Sequence, residues 1–353
     1  MTGTGYRMPA EWEPHEATWL AWPHEESDWP GKFETVRWVY AEIARWLSLC
    51  ERVRVLVPDK AVRSEARRVF EKSGVNMAAV DFYVCPTDRS WTRDYAPIFV
   101  RDAEQRLIIS NWCFNGWAKY PNHKRDNAVP DYVAAKLKIP QVRLDDLVLE
   151  GGSIDVNGDG IMLTTEECLL SSIQARNPGL GRLELEAIFA HFLGIRRVIW
   201  LNRGIAGDDT HGHVDDITRF VGRKTVVTMI ERLKIEENYA PLRENLQLLR
   251  RRHRDLTVIE IPMPKPVYFD GQRLPASYAN FYIANKFVLT PVFNDPGDNE
   301  AIATLQRAFP RRTVVPIYCR DFVLGLGTLH CCTQQQPVGS IANPASVPLD
   351  GAW

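Results

Sequence analysis

Hydrophobic and polar positions alternate along this chain with two different periods. A repeat of about 3.6 positions predicts a helix, and short apolar runs bounded by turn residues predict strands. Helices are predicted at residues 33–49, 61–72, 183–193, 242–254 and 300–309. Single strands are predicted at residues 53–57, 79–84, 197–201, 225–230, 257–261 and 313–317.

Further apolar runs come in pairs and predict antiparallel hairpins, at 98–100 with 107–110, 154–156 with 161–164, and 281–284 with 287–291. The second pair encloses Asn157-Gly158-Asp159-Gly160, a sequence that favours a tight reversal of the chain. A doubly wound sheet would have one strand for each helix, whereas strand pairs here alternate with single helices. The pattern therefore predicts a mixed α/β fold of repeated small units.

Composition and charge narrow the class of protein. The 353 residues are 45% hydrophobic and 25% charged, with a formal net charge of −1, which is ordinary for a globular protein and gives no footprint for nucleic acid. No low-complexity segment or linker divides the chain, so we expect a single domain over residues 1–353. No apolar stretch approaches the roughly 20 residues of a membrane span, and residues 1–6 lack the pattern of a signal peptide.

The seven cysteines are scattered, without a CxxC pair or a repeated spacing. An odd number of unpatterned cysteines argues against a disulfide framework and for a reducing compartment. Together with the composition, this predicts a cytoplasmic protein that binds neither nucleic acid nor membranes.

Four segments contain residues that a hydrophobic core does not explain: 88–94, 149–155, 207–216 and 325–337. In the first, Trp91 stands among four charged residues, which is typical either of a surface loop or of a loop that contacts a ligand. In the second, Glu150 is followed by two glycines, which form a plain turn or let the backbone approach a neighbour closely.

The third segment contains two histidines and four aspartates. In an extended chain, His211, His213 and Asp215 would share one face, because side chains alternate. That face would suit a metal ion, or a hydrolase in which a histidine is the acid and base and a carboxylate holds a cationic substrate. In the fourth segment, glycines precede Cys331 and allow a tight turn that exposes the thiol, although a buried structural cysteine is the commoner case.

A thiol, a histidine and several carboxylates, without a phosphate-binding loop, favour one substrate chemistry. Cysteine–histidine acyl transfer needs a single orienting group, whereas an excess of carboxylates suits a planar cation such as guanidinium. Two alternatives stay open. One is a zinc hydrolase that uses His211, His213, Asp215 and Cys331, and the other is a protein that binds a guanidinium compound without turnover.

Five motifs follow one another between residues 8 and 337. They are Met8-Pro9-Ala10-Glu11-Trp12-Glu13-Pro14-His15-Glu16, Trp91-Thr92-Arg93-Asp94, Leu149-Glu150-Gly151-Gly152-Ser153, Gly212-His213-Val214-Asp215, and His330-Cys331 with Thr333-Gln334-Gln335. In this order they resemble the agmatine deiminase family, a group that includes the Porphyromonas-type peptidylarginine deiminases. The resemblance implies a pentein fold, which is a pseudo-fivefold α/β propeller of ββαβ units. It also implies a hydrolase without cofactor or metal, in many members a homo-oligomer, that converts agmatine to N-carbamoylputrescine and ammonia on the way to putrescine.

The resemblance further implies three catalytic roles. Cys331 corresponds to the nucleophile, His213 to the general acid and base, and Glu150 to the acid that orients the histidine.

Five more residues correspond to the family's substrate contacts. Asp94 and Asp215 match the carboxylates that hold the guanidinium, and Trp91 and Arg93 match neighbours that shape the pocket. Asp209 matches a carboxylate that agmatine-specific members use for the distal amine.

Two departures from the family pattern lie beside the nucleophile. Many agmatine deiminases have Gly-Gly-Gly-Asn-Ile-His-Cys where this chain has Gly325-Leu326-Gly327-Thr328-Leu329-His330-Cys331, and Cys332 replaces an aliphatic residue. Because these positions belong to the pocket wall, arginine and peptidyl-arginine are alternative substrates to agmatine. No role follows for His211 or Cys332.

Overall fold

The computed structural model describes residues 5–342, which form a mixed α/β fold. Its strands are, in chain order, β1 (His15–Ala21), β2 (Arg52–Val57), β3 (Val80–Val84), β4 (Ile98–Arg101), β5 (Leu107–Cys113), β6 (Gln141–Val148), β7 (Asp155–Val156), β8 (Ile161–Thr165), β9 (Arg197–Leu201), β10 (Thr218–Gly222), β11 (Thr225–Ile230), β12 (Thr257–Pro262), β13 (Val267–Phe269), β14 (Gln272–Leu274), β15 (Tyr282–Ile283), β16 (Phe287–Val292), β17 (Thr313–Tyr318) and β18 (Gln334–Pro337). Its α-helices are α1 (Phe33–Leu47), α2 (Lys60–Lys72), α3 (Thr92–Tyr95), α4 (Lys124–Asn127), α5 (Val129–Leu137), α6 (Glu166–Leu170), α7 (Arg182–Leu193), α8 (Tyr239–Arg252) and α9 (Asp298–Ala308).

Four sheets within residues 5–342 are built in the same way. In each, two consecutive strands pair antiparallel, a helical segment follows, and the next strand pairs parallel with the second. Parallel neighbours need such a crossover, because a tight turn can join only antiparallel strands. The four sheets are β4-β5-β6, β7-β8-β9, β10-β11-β12 and β15-β16-β17.

A fifth sheet joins the two ends of the described chain. β18 pairs antiparallel with β1, α1 leads from β1 to the parallel β2, and β3 extends the sheet after α2. This sheet repeats the same construction with its first strand supplied by the last part of the chain. Cys331 lies just before β18, so the pairing brings the predicted nucleophile against the first part of the chain.

The predicted helices, strands and hairpins are confirmed, with ends shifted by a few residues. The elements missing from the prediction are strands β1, β6, β10, β13, β14 and β18 and helices α3, α4, α5 and α6. β18 shows why, since it is a run of glutamines that lies buried. The side-chain oxygen of Gln336 accepts a hydrogen bond from Trp19 Nε1 at 3.0 Å, and that of Gln335 accepts one from Arg93 at 2.6 Å. A polar strand is stable in the interior when its side chains are satisfied in this way.

The hydrophobic core consists of two clusters. The larger includes Trp19, Tyr40 and Phe281, and the smaller packs around Phe189 and Phe192 of α7. Trp91, Cys331 and Cys332 belong to the larger cluster, so the predicted nucleophile lies where the apolar core meets polar residues. Across residues 5–342, each helix is too short or too polar to cross a membrane.

Candidate active site

A cavity of about 400 Å³ has Cys331 in its wall. Trp91, Asp94 and Gly327 line the cavity with the thiol, and all are buried. The remaining polar lining includes Ser27, Asp28, Arg89, Tyr120, Asp209, Thr210, Asp270 and Gln272. A cavity of this size holds a small molecule, and the buried acid beside the thiol favours a cationic one.

Cys331 is only 7% exposed, and three contacts fix it. Asn280 Nδ2 donates to the sulfur at 3.1 Å, the thiol lies 3.8 Å from Asp215 Oδ2, and the backbone N–H of Arg93 donates to the Cys331 carbonyl at 3.0 Å. A side chain at Gly327 would place its Cβ 3.1 Å from the sulfur, so the glycine permits this close approach. Burial raises the pKa of the Cys331 thiol well above its ordinary value, and neighbouring carboxylates raise it further.

Asp94 belongs to α3, a single turn that follows Trp91. Its two oxygens are held by Gly152 N–H at 3.0 Å and by Trp117 Nε1 at 2.9 Å. A Cβ at Gly152 would lie 2.7 Å from Asp94 Oδ1 and 2.6 Å from His213 Nδ1. Gly152 therefore allows the backbone to approach Asp94 and His213 closely. Of the two interpretations of the segment after Glu150, this is the one in which the glycines serve a close approach. Burial raises the pKa of Asp94 to about 6.

The ring of His213 lies among three carboxylates. Nε2 is 3.7 Å from Glu150 Oε2, while Nδ1 is 3.8 Å from Asp94 Oδ1 and 4.0 Å from Asp215 Oδ1. These separations exceed hydrogen-bond length, and neither ring nitrogen has a partner. Burial lowers the pKa of His213, but Asp94, Cys168 and Glu150 outweigh that effect and raise it well above its ordinary value.

Glu150 is fully buried beside a cation. Burial acts to raise its pKa, but Arg176 and His213 together lower it to about 2. Arg176 Nε donates to Glu150 Oε1 at 2.9 Å, which leaves Oε2 directed at His213 without a hydrogen bond. Glu150 is thus a carboxylate held ionised by a neighbouring arginine.

The extended arrangement predicted for residues 211–215 is wrong. The side chain of Asp208 accepts hydrogen bonds from the backbone N–H groups of Gly212 at 2.7 Å and His213 at 3.0 Å, which turns the chain back on itself. Gly212 has a φ of +96°, which favours glycine. His213 and Asp215 come together, whereas His211 lies apart from them with its ring nitrogen 3.2 Å from Ser171 Oγ.

Asp215 links the cavity to a buried network behind it. Its Oδ2 lies 2.7 Å from Nδ1 of His330, and Nε2 of His330 lies 2.8 Å from Glu11 Oε2. Burial acts to raise the pKa of Asp215, but His330 overcomes this and lowers it. Asp215 is therefore held as an anion next to the thiol.

Arg93 points away from the cavity. Its guanidinium donates to Gln335 Oε1 at 2.6 Å, to Glu11 Oε2 at 3.3 Å and to the carbonyl of His330 at 3.3 Å. Among the predicted pocket residues, Arg93 thus lies behind the site, while Trp91 lines the cavity and contacts Trp29 in a tilted arrangement with ring centroids 5.3 Å apart.

Asp209 lines the cavity but is already paired. Lys119 forms a salt bridge with one of its oxygens, and Tyr120 O–H donates to the other at 2.7 Å. Its carboxylate therefore meets two donors before any substrate arrives.

Several residues of this site are not identified from the sequence patterns. Asn280 donates to the thiol and to Asp216, Trp117 holds Asp94, and Arg176 holds Glu150. The one available signal for Asn280 is a polar residue inside an otherwise apolar run. Arg176 lies in an irregular polar loop, where an arginine is common and indicates no particular function.

The described residues do not bring the proposed zinc ligands together. Within residues 5–342, the histidine, cysteine and carboxylate groups close enough to share a metal ion are Glu150, Cys168 and His213. This is a different set from His211, His213, Asp215 and Cys331, so the sequence-based zinc site is wrong.

The geometry defines a class of site before any relative is considered. A cysteine and an aspartate face one small cavity, a protonatable histidine lies behind the aspartate, and ionised carboxylates surround both. Such a site suits nucleophilic attack on a small cationic group.

Known proteins are similar to this chain over nearly its whole length. The family model described as Porphyromonas-type peptidyl-arginine deiminase matches residues 7–337. Agmatine deiminase of Pseudomonas aeruginosa (strain LESB58) is 34% identical, with 94% of this chain and 96% of that protein covered. The solved structure of C. jejuni agmatine deiminase with substrate bound is 30% identical, with a TM-score of 0.88, 96% of this chain and 98% of that chain covered.

A more distant structure shares the fold alone. The amidinotransferase SxtG from Microseira wollei has a TM-score of 0.53 at 11% identity, with 96% of this chain and 99% of that chain covered. The chain belongs to the Porphyromonas-type peptidyl-arginine deiminase family.

Proposed function

We propose that this protein hydrolyses the guanidinium group of agmatine to N-carbamoylputrescine and ammonia through a covalent intermediate on Cys331. The observation that carries the proposal is the shared cavity of Cys331 and Asp94, with Asp215 3.8 Å from the sulfur and His213 3.8 Å from Asp94. Similarity to agmatine deiminases over nearly the whole chain supports it.

Asp94 and Asp215 hold the guanidinium over the thiol. Both oxygens of Asp94 accept one hydrogen bond from the protein and keep a second lone pair for the substrate. Asp215 Oδ1 is buried without a partner, which leaves it available to a guanidinium N–H. Carboxylates match the donor fork of guanidinium in pairs, so two of them fix its plane.

The substrate itself activates the nucleophile. Since burial and carboxylates raise the pKa of Cys331, the free enzyme disfavours the thiolate. A guanidinium beside the sulfur offsets the negative charge of the carboxylates, so it lowers the pKa of the thiol and favours the thiolate. The sulfur then attacks the guanidinium carbon to form a tetrahedral adduct.

His213 moves the protons, and Glu150 orients it. The imidazolium gives a proton to the departing nitrogen, and ammonia leaves a thiouronium on Cys331. Neutral His213 next accepts a proton from water, whose oxygen attacks the same carbon. The C–S bond breaks as the adduct hydroxyl loses its proton to the released ammonia, the ureido product is released and the thiolate returns. Glu150, ionised beside Arg176, stabilises the imidazolium form.

Free arginine and peptidyl-arginine are the second candidate substrates. Asp209 pairs with Lys119 and Tyr120, so the carboxylate expected to bind the distal amine of agmatine is partly occupied. The lysine at the same place would suit a substrate with a carboxylate at its far end.

The fold and context form part of the same proposal. The five similarly built sheets fit a pseudo-fivefold propeller of ββαβ units in a single domain over residues 1–353. The cytoplasmic location and a homo-oligomeric state stay predictions.

Ammonia release from agmatine, arginine and an arginyl peptide at equal concentration tests the assignment. We expect agmatine to have the highest kcat/KM and Cys331 to carry a thiouronium adduct in the mass spectrum of quenched enzyme. Turnover of agmatine by enzyme alkylated at Cys331 would overturn the mechanism. Inactivation by a chelator alone would point to a metal hydrolase.

A further inference from the structure

We propose that Glu150, Cys168 and His213 form a binding site for a thiophilic divalent cation of the Zn²⁺ type, and that the bound cation inhibits the enzyme. The three side chains offer one carboxylate oxygen, one thiol and one ring nitrogen, all within 4.8 Å of one another. They come from three separate segments, and all are buried. The site itself does not depend on the proposed function, whereas the inhibition rests on it.

The spacing is close to that of a coordination shell. Zinc bonds of about 2.0 Å to nitrogen and oxygen and about 2.3 Å to sulfur place tetrahedral ligand atoms roughly 3.3–3.8 Å apart. His213 Nε2 and Glu150 Oε2 already stand 3.7 Å apart. A small inward movement of the Cys168 sulfur completes three ligands, and a water molecule would take the fourth position, as in open zinc sites.

The oxygen and nitrogen ligand atoms lack hydrogen-bond partners. Glu150 Oε2 and both ring nitrogens of His213 are buried without a hydrogen bond. Unsatisfied buried polar atoms are rare and costly, so a cation between Nε2 and Oε2 would relieve both at once.

Surrounding groups support the ligands in the way that metal sites require. Arg176 Nε donates to the other oxygen of Glu150 at 2.9 Å, and Nδ1 of His213 faces Asp94. A ligating histidine ordinarily directs its second nitrogen at a carboxylate, and a ligating carboxylate is itself hydrogen-bonded.

Cys168 is tied to the segment that carries His213. The hydroxyl of Thr165 accepts a hydrogen bond from Cys168 N–H at 3.0 Å and donates one to the carbonyl of Gly212 at 2.6 Å. One hydroxyl therefore links the backbone of Cys168 to the residue that precedes His213.

The donor set selects the kind of cation. Sulfur and imidazole nitrogen favour Zn²⁺ and similar ions over Mg²⁺ and Ca²⁺, which prefer oxygen shells. Binding converts the Cys168 thiol to a thiolate and the His213 imidazolium to a neutral imidazole, and both protons are released to solvent. The metal then occupies the Nε2 lone pair, so His213 can no longer become the imidazolium that protonates ammonia.

Metal binding is measured without substrate, by titrating the full chain with Co²⁺ and recording thiolate-to-cobalt absorption. Cys331→Ala should keep the absorption band, because Cys331 is outside the cluster. Cys168→Ala and Cys168→Ser should lose it, provided that their thermal unfolding stays cooperative. Loss of the band in Cys331→Ala with retention in both Cys168 variants would place the metal on the nucleophile and overturn the proposal.

Inhibition is measured separately as ammonia release with Zn²⁺ and after its removal by EDTA. We expect reversible inhibition that weakens in Cys168→Ser by at least about 100-fold, the upper end of the cost of losing a mere supporting contact. Stimulation by Zn²⁺ would overturn the inhibitory role. A protein that binds Co²⁺ through Cys168 but never releases ammonia would leave the site intact and refute the deiminase assignment instead.

Discussion

Two clusters of buried charge meet at Asp215 and His330, and they differ in how completely their groups are paired. Behind the cavity, Glu11, Arg93, Arg219 and His330 form a network in which each side chain has at least two partners. Glu11 alone accepts from Arg219 at 3.0 Å and from the backbone N–H of Ile283 at 2.7 Å, and its Oε2 also lies 2.8 Å from His330 Nε2.

The second cluster lies directly behind the cavity residues Asp94 and Cys331, and it is equally buried but incompletely paired. His213 has no hydrogen bond to either ring nitrogen, and one oxygen each of Glu150 and Asp215 has none. Leaving a buried group unpaired costs about 1–3 kcal/mol, and more for a charge. Proteins retain such a cost where a bound ligand supplies the missing partner. The fully paired cluster therefore stabilises the fold, whereas the incompletely paired cluster binds a ligand.

The largest expected effect is on turnover. Cys331→Ala removes the nucleophile of the unpaired cluster and should lower kcat for agmatine by roughly 10⁴-fold or more. Stability should barely change, since the sulfur receives a single hydrogen bond from Asn280. Steady-state ammonia release and urea unfolding check both parts. Near-normal kcat in a pure preparation would remove Cys331 from the mechanism.

The paired cluster should respond in stability. Glu11→Gln leaves Arg219 and Arg93 short of a buried counter-charge, which should cost about 3–5 kcal/mol in urea unfolding. Glu13→Gln is the matched control, because its partner Arg7 is part-exposed and such pairs contribute about 0–1 kcal/mol. Equal losses in the two variants would show that the network behind the cavity is no more important than a surface pair.

The contrast also explains how far the sequence predicts this molecule. Periodicity finds the helices and the hairpins, because each pattern is local. It misses β18 and Asn280, since the partners that make them stable in the interior are distant in sequence: Trp19 for Gln336, and Asp216 and Cys331 for Asn280. The motifs bring Cys331, His213, Glu150 and Asp94 into consideration. The distances between these side chains depend on turns such as the one around Asp208, and the alternation of side chains in an extended chain does not predict such a turn.

The effect expected for Asp94 is smaller, and it is a change in stability whose direction with pH is defined. Its pKa is about 6 when folded and roughly 4 when unfolded, so the folded state binds the proton more readily. The carboxylate therefore lowers stability fully above pH 6, and this cost disappears as pH falls toward 4. Asp94→Asn has no such charge, but its amide cannot accept from both Gly152 and Trp117. The stability of the parent relative to Asp94→Asn should therefore fall by the order of 1–3 kcal/mol between pH 4 and pH 7, measured by urea unfolding at both pH values.

The same substitution should weaken catalysis. Loss of one ionic contact to the guanidinium should lower kcat/KM for agmatine by about 10-fold or more. In the parent enzyme, kcat/KM should fall as pH drops below about 6, because protonation of Asp94 removes the charge. A parent profile that stays flat down to pH 5 would contradict this assignment of charge.

The smallest effects on substrate binding are expected at Asp209, the cavity-lining carboxylate that is paired with Lys119. Lys119 is part-exposed, so its salt bridge with Asp209 contributes little stability, about 0–1 kcal/mol. Lys119→Ala frees Asp209 for the distal ammonium of agmatine and should lower KM by up to about 5-fold, the equivalent of 1 kcal/mol. Propylguanidine has no distal amine and serves as the matched substrate, for which KM should not change. Asp209→Asn should leave both KM values nearly unaltered, because the carboxylate is already occupied by Lys119 and Tyr120. If Asp209→Asn instead raised KM for agmatine alone by more than about 10-fold, Asp209 would hold the amine in the complex, and the pairing with Lys119 would be a feature of the empty cavity that the substrate displaces.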